Sequence, residues 1–140
     1  MDKYWILSAN DSVASRVVGT GKVAIDLIEM RCQEGKWYIK TKKNLTPGDL
    51  VCFYAVRKGV VAEAKVDSEL FKNSNSGHPW GFAISGCKKL HIPIKLGKDT
   101  RPLVSLDMYK DNPSNWQVNL HNSPTEISKH DFDLLTGKAL

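Results

Sequence analysis

Apolar residues fall in short runs separated by polar turns, and the spacing within each run indicates its element. Tyr4 to Leu7 is a compact apolar run that predicts a first buried strand, ended by the turn chemistry of Ser8-Ala9-Asn10-Asp11-Ser12. Within Gly21 to Gln33, Val23, Leu27 and Met30 with Ile28 recur at helical spacing, and Gly35 supplies a stop. Trp37 to Ile39 starts a short strand. Asn44-Leu45-Thr46-Pro47-Gly48-Asp49 reads as a turn that delivers the chain into the apolar strand Leu50 to Val56. Arg57-Lys58-Gly59 then makes a short hairpin connection to a second apolar strand, Val60 to Val66.

Beyond this hairpin the signals are more mixed. Phe71 to Pro79 is polar and reads as an exposed loop, Trp80 to Ser85 as a strand, and Leu90 to Leu96 as a separate edge strand marked by Pro93. Arg101 to Met108 is a short helix or turn. Asp111 to Asn115 breaks the chain before a strand from Trp116 to Leu120. A closing helix is expected from Ser123-Pro124-Thr125-Glu126 onward, with Ile127, His130 or Asp131, and Leu134 on one face and Gly137 at its end. The expected architecture is α+β: a small barrel of about six strands with helices after the first strand and at the C-terminal end.

The chain's 140 residues are the length of one domain, spanning residues 1–140, with no internal repeat. No apolar run approaches the roughly 18 residues of a membrane span, and the first thirty residues lack a signal peptide's layout, so a soluble, cytoplasmic protein is expected. Cys32, Cys52 and Cys87 are widely spaced and without a CxxC pair, which argues for reduced, small core residues rather than a disulfide framework or zinc site.

The net charge of +5 is unevenly distributed. Residues from Met1 to Gln33 are neutral, Glu34 to Arg101 carry +7, and Pro102 to Leu140 carry −2. A basic middle segment favours a polyanionic partner, or it lines solvated strand edges where lysines discourage aggregation. Enzyme signatures are missing: there is no GxSxG, HExxH, GxGxxG or GxxxxGK[ST], and His78, His91, His121 and His130 are scattered. Asp131 and Asp133 read as a solvated helix face rather than a catalytic carboxylate pair. No catalytic residue, metal or cofactor is therefore assigned.

Trp5 and Trp116, inside and at the head of apolar runs, read as core. Trp37 and Trp80 sit where polar stretches meet strands, and packing and binding both remain open for them. An aromatic face beside a basic rim suits an unstacked base, because each base stacked on an aromatic side chain contributes about 1–3 kcal/mol while cations track the phosphates.

Tyr4-Trp5-Ile6-Leu7-Ser8, Trp37 through Tyr54 with its Pro47-Gly48-Asp49 turn and Val51-Cys52-Phe53-Tyr54 strand, and Gly59 to Val66 together resemble the EVE domain family. In that family a YW-led strand, a basic segment opened by tryptophan, a PGD turn, a VxFY strand and a GIVGIAEV-like strand follow in this order. The ending, Trp116 to Leu120 through Ile127 and Asp131 to Leu135, is similar to the family's closing strand and helix. EVE domains belong to the PUA-like superfamily, with the YTH and SRA readers of methylated bases among their relatives.

The resemblance implies a PUA-like β-barrel with an aromatic pocket for one modified base on a basic surface, in a noncatalytic module that binds DNA or RNA. The pocket residues it implies are Trp37 and Trp80 as aromatic walls. Ser8, Asn10 and the backbone around Tyr38 are the groups expected to select the base edge. Lys40, Lys42, Lys43, Arg57 and Lys58 are the expected phosphate contacts. Where EVE domains commonly read GVRN beside the tryptophan, this chain has Tyr38-Ile39-Lys40-Thr41, which leaves the preferred base open. A YTH-like reader of N6-methyladenine in RNA is an alternative, as is a small enzyme acting on a nucleotide or RNA base. The expected state is a monomer, acting alone or with a nuclease or motor.

Overall fold

The strands that read as unbroken apolar runs do so because both of their faces are covered. A computed structural model describes residues 2–74, 77–96, 104–117, 120 and 123–138. In β1 (Tyr4–Ala9), Trp5, Leu7 and Ala9 point into one apolar cluster while Ile6 points into another. The neighbouring β3 (Leu50–Ala55) alternates in the same way, with Val51, Phe53 and Ala55 on the first side and Cys52 on the second. The first cluster is closed by α1 (Asp11–Val17) and α2 (Ala24–Glu34), through Ala14, Ala24, Leu27 and Ile28. The second is closed by α3 (Asp107–Asp111) and α4 (Lys129–Leu135), with Leu106, Trp116, Phe132 and Leu135.

The remaining strands are β2 (Lys36–Ile39), β4 (Gly59–Val66), β5 (Phe71–Lys72), β6 (Trp80–Ile94) and β7 (Thr125–Ile127). They form one curled half-barrel sheet in the order β2-β6-β4-β3-β1-β7, with β5 added to β6. The pairing of β1 with β3 is parallel, Trp5 opposite Val51, and the other pairings are antiparallel. The parallel pair requires a crossover, and α1, α2 and β2 lie within it.

Several local expectations hold. α2 ends at Gly35, which takes a left-handed φ of 74°. The turn before β3 and the hairpin between β3 and β4 lie where their turn residues place them, and Trp5 and Trp116 are buried.

Other expectations are corrected. Asn10 opens a helix rather than only a turn: its side chain accepts from the Val13 N–H at 2.8 Å and caps α1. Trp80 to Ile94 is one strand instead of two. Its register against β4 slips between Lys88 and Ser85, where Gly86 sits, an irregularity inside one continuous strand. Phe71 and Lys72, expected in a loop, pair with Gly81 and Trp80.

Trp116 and Gln117 lie in turns, which replaces the strand expected to begin there; Val118 and Asn119 lie outside the described residues. Thr125–Ile127, expected as the first turn of the closing helix, pairs instead with β1, and the helix starts after Ser128, whose hydroxyl accepts from the Asp131 N–H at 3.1 Å. Cys52 is buried as expected, but Cys32 is half-buried and Cys87 is exposed. Asp131, expected on a solvated face, is buried and caps α3 through hydrogen bonds from the Asp107 and Met108 N–H groups at 2.6 and 3.0 Å. Among the described residues no helix is long and apolar enough to cross a membrane.

Candidate functional site

Parallel pairing brings the C-terminal ends of β1 and β3 side by side, with the Val56 N–H donating to the Ala9 carbonyl at 3.0 Å. The chain turns away from both ends, and a cavity of about 460 Å³ opens there. Ser8, Ala9 and Val56 line it from the strand ends, Asn10 and Val13 from the start of α1, Leu27 and Arg31 from one face of α2, and Trp37 through Lys40 from β2 and its continuation. Asn73 and His78, between β5 and β6, complete the opposite side, with Leu120 and Ser123 below Ser8.

Four of the five base-pocket residues expected from the sequence line this one cavity: Ser8, Asn10, Trp37 and Tyr38. Their roles differ. Trp37 is 4 % exposed and packs its ring on Phe53 at a centroid distance of 4.9 Å, so it is at once core and cavity wall. Tyr38, its neighbour on the strand, faces the other way, as successive strand residues must. Its ring lies under the Arg31 guanidinium at 4.5 Å and meets Phe71 edge-on at 6.4 Å.

The Ser8 hydroxyl donates to the Leu120 carbonyl at 2.6 Å and its N–H to the Ser123 hydroxyl at 2.8 Å, which fixes the cavity floor. Asn10 spends its carbonyl oxygen on capping α1, leaving its amide N–H groups as the donors it offers the cavity.

Trp80 is not brought into the cavity. It stands opposite Ile39 on β6, half-buried, with the Lys42 and Lys72 ammonium groups 4.9 and 5.7 Å from its ring centroid. Trp37 and Trp80 therefore do not form two facing walls. Of the expected phosphate contacts, Lys40 lines the cavity, while Lys42 lies over Trp80 and Lys43 follows it. Arg57 and Lys58 are exposed in the hairpin immediately after the cavity residue Val56, with Arg57 at a φ of 73°.

Among the cavity's ionisable residues, Arg31 and His78 escaped the sequence reading. Arg31 was hidden in an amphipathic helix; its position four residues after Leu27 was the available signal. His78 stood in a polar stretch without a motif. Burial holds the His78 imidazole below its ordinary pKa, and the charges of Lys40, Arg16 and Arg31 push the same way.

Two other groupings stand apart from this cavity. Asp107, His130 and Asp131 bring potential ligand atoms within 4.8 Å of one another. All three are engaged in the fold: Asp131 caps α3, the Asp107 carboxylate accepts from the Ser128 hydroxyl at 2.7 Å, and His130 Nε2 meets the Ser105 carbonyl at 2.9 Å. Cys32 and Cys87 lie together in an apolar groove between α2 and β6, where burial raises the Cys32 pKa and a hydrogen bond with Cys87 raises it further.

No protein family's sequence profile matches the chain, and no curated protein does. The fold has a solved counterpart: the NMR structure of Rpa0253 from Rhodopseudomonas palustris, a structural genomics target, aligns with a TM-score of 0.60 at 17 % identity, covering 97 % of this chain and 92 % of that one. At that identity the likeness speaks to the fold alone.

Proposed function

We propose that this protein is a noncatalytic, EVE-type reader of nucleic acid, with a PUA-like barrel, that takes one modified base into the cavity at the ends of β1 and β3. The observation that carries this reading is the convergence in one cavity of an aromatic wall, base-edge donors and cations from elements far apart in sequence: Ser8, Asn10, Arg31, Trp37, Tyr38, Lys40 and His78. Trp37 offers a stacking surface, Asn10 and the Tyr38 backbone offer polar contacts, and Lys40 and Arg31 suit the adjoining phosphate.

A base in a duplex would have to leave its stack, at a cost of a few kcal/mol that stacking and backbone contacts offset. The exposed cations at Lys42, Arg57 and Lys58, with the half-buried Lys43, extend the basic surface for the strand on either side.

The test is a panel of DNA and RNA oligonucleotides, each with one unmodified or methylated base, followed by tryptophan fluorescence and analysed afterwards for product. Tighter binding of a modified strand, without turnover, supports the reader; N6-methyladenine in RNA as the preferred base would make it YTH-like. Release of a changed nucleotide would assign the cavity to an enzyme, and equal or no binding across the panel would remove the reading.

A further inference from the structure

Away from the cavity, two of the three thiols meet in the groove of about 340 Å³ between α2 and β6. Glu29, Cys32 and Gly35 follow one another at three-residue steps and share a face at the end of α2. That face is tied to β6 on both sides of Cys32. The Glu29 carboxylate lies 3.6 Å from the Lys89 ammonium, and the Ile84 N–H donates to the Gly35 carbonyl at 2.9 Å. Between these ties the Cys32 and Cys87 thiols are hydrogen-bonded to each other. Between the pairs Lys65–Ser85 and Glu63–Lys88, β6 has two residues, Gly86 and Cys87, where β4 has only Ala64. Such a bulge re-aims a side chain, and Cys87 lines the groove while remaining exposed. Gly86, at a φ of 63° and with nothing within 4 Å of where a Cβ would lie, leaves the backbone beside Cys87 free to adjust.

The two thiols are unequal. Cys87 is open to solutes, with Lys88 and Lys89 beside it in the groove. Cys32 is half-buried, and burial, the hydrogen bond with Cys87 and the charges of Cys87 and Glu29 all hold its proton in place. A thiolate is the nucleophile toward an oxidant, so the exposed member reacts first. Oxidation of Cys87 then removes its negative charge, one of the causes that oppose ionisation of Cys32, so the second thiol is freed to react only after the first. The third thiol, Cys52, is fully buried in the other apolar cluster, on the far side of the sheet.

We propose that Cys87 and Cys32 are a peroxide-responsive pair, Cys87 the residue oxidised and Cys32 its resolving partner in a reversible intramolecular disulfide. The Cys87 thiolate attacks one oxygen of hydrogen peroxide. The O–O bond breaks, the departing hydroxide takes up the proton that Cys87 released and leaves as water, and Cys87 becomes a sulfenic acid. The Cys32 sulfur then attacks the Cys87 sulfur. An S–S bond replaces the S–O bond, and the hydroxide released takes the Cys32 proton as a second water. Two thiols are oxidised by two electrons, and one peroxide is reduced to two waters.

Mass spectrometry of the full chain treated with hydrogen peroxide tests this. The folded parent is expected to lose two hydrogen atoms, with Cys32 joined to Cys87 in the unreduced peptide map, Cys52 unchanged, and both thiols restored by dithiothreitol. The link should form at least about tenfold faster in the folded chain than in urea, because the fold holds the two sulfurs together. In Cys32→Ser, dimedone should trap a sulfenic acid at Cys87; in Cys87→Ser, labelling of Cys32 should be slower by about tenfold or more. Sulfinic acid at Cys87 beside a free Cys32, a dimer joined through Cys87, no oxidation, or an equal rate in urea would each overturn the proposal from the parent chain alone. Equal labelling of Cys32 and Cys87 in the two variants would overturn the division of roles.

Discussion

The indole N–H of Trp5 donates to Asp49 Oδ2 at 3.0 Å, joining the first strand to the last residue of the Pro47-Gly48-Asp49 turn. The same carboxylate accepts from the Lys3 N–H at 2.9 Å and the Thr46 N–H at 3.0 Å, with the Lys3 ammonium at 3.5 Å. One fully buried side chain thereby holds the start of β1 against the entry to β3 and fixes the parallel register on which the cavity depends.

Asp49→Ala should destabilise the fold by about 3–5 kcal/mol, because it leaves the Trp5 indole and two backbone N–H groups without their acceptor. Urea denaturation of the variant and the parent measures this. Burial acts to raise the Asp49 pKa, but the hydrogen bonds from Lys3, Thr46 and Trp5 and the Lys3 charge outweigh it, and the net shift is downward. A carboxylate with a depressed folded-state pKa contributes stability that is present above the unfolded value of about 3.9 and lost as pH falls through the folded value. Stability measured from pH 5 downward should therefore fall more steeply in the parent than in Asp49→Asn.

Trp37 and Trp80 should separate in a paired experiment. Trp37→Ala removes a ring packed on Phe53 and should cost about 3–5 kcal/mol of stability, so its effect on binding is read better from Trp37→Phe. Trp80→Ala, at a half-buried site flanked by lysines, should cost about 1 kcal/mol. If binding then falls with Trp80→Ala as much as with Trp37→Phe, a base reaches Trp80 as well as the cavity.

The basic surface has a salt signature. Oligonucleotide affinity should fall log-linearly with salt, and Lys40→Gln combined with Lys58→Gln should flatten the slope by roughly 0.7–0.9 for each phosphate contact removed. An unchanged slope in the double variant would place the phosphates elsewhere.

Gly59 tests the hairpin. Its φ is +107°, and a Cβ there would lie 2.5 Å from the Ile94 carbonyl oxygen, a backbone atom that has no side-chain freedom to yield. Gly59→Ala should cost more than about 2 kcal/mol, seen as a lowered melting temperature, whereas alanine at the neighbouring exposed Lys58 should change it little.

The β3–β4 hairpin was legible because its apolar runs, turn residues and burial agree. Sequence reading failed where one residue type serves two purposes. Asn10-Asp11-Ser12 suits a turn and equally a helix cap, and Ser123 to Glu126 resembles a helix start although pairing with β1 places Thr125 and Glu126 in a strand. Trp80 to Ser85 and Leu90 to Leu96 read as separate strands, whereas β6 runs through from Trp80 to Ile94 with a register slip at Gly86.

The cavity was partly legible for a related reason. Ser8, Asn10, Trp37 and Lys40 stand at element ends, where sequence signals are strongest. Arg31 and His78 join them only through the packing of α2 and the approach of the β5–β6 connection, which local pattern does not reveal.

Because Ser8 is anchored to Leu120 and Ser123, 112 and 115 residues away, the cavity floor is completed by a part of the chain synthesised long after β1. β3 follows β1 closely in synthesis and β7 comes late, so the contacts of longest sequence separation are those that close the site. A nascent chain would acquire its hairpin and much of its first apolar cluster well before it could hold a ligand, and binding competence would arrive in a single late step.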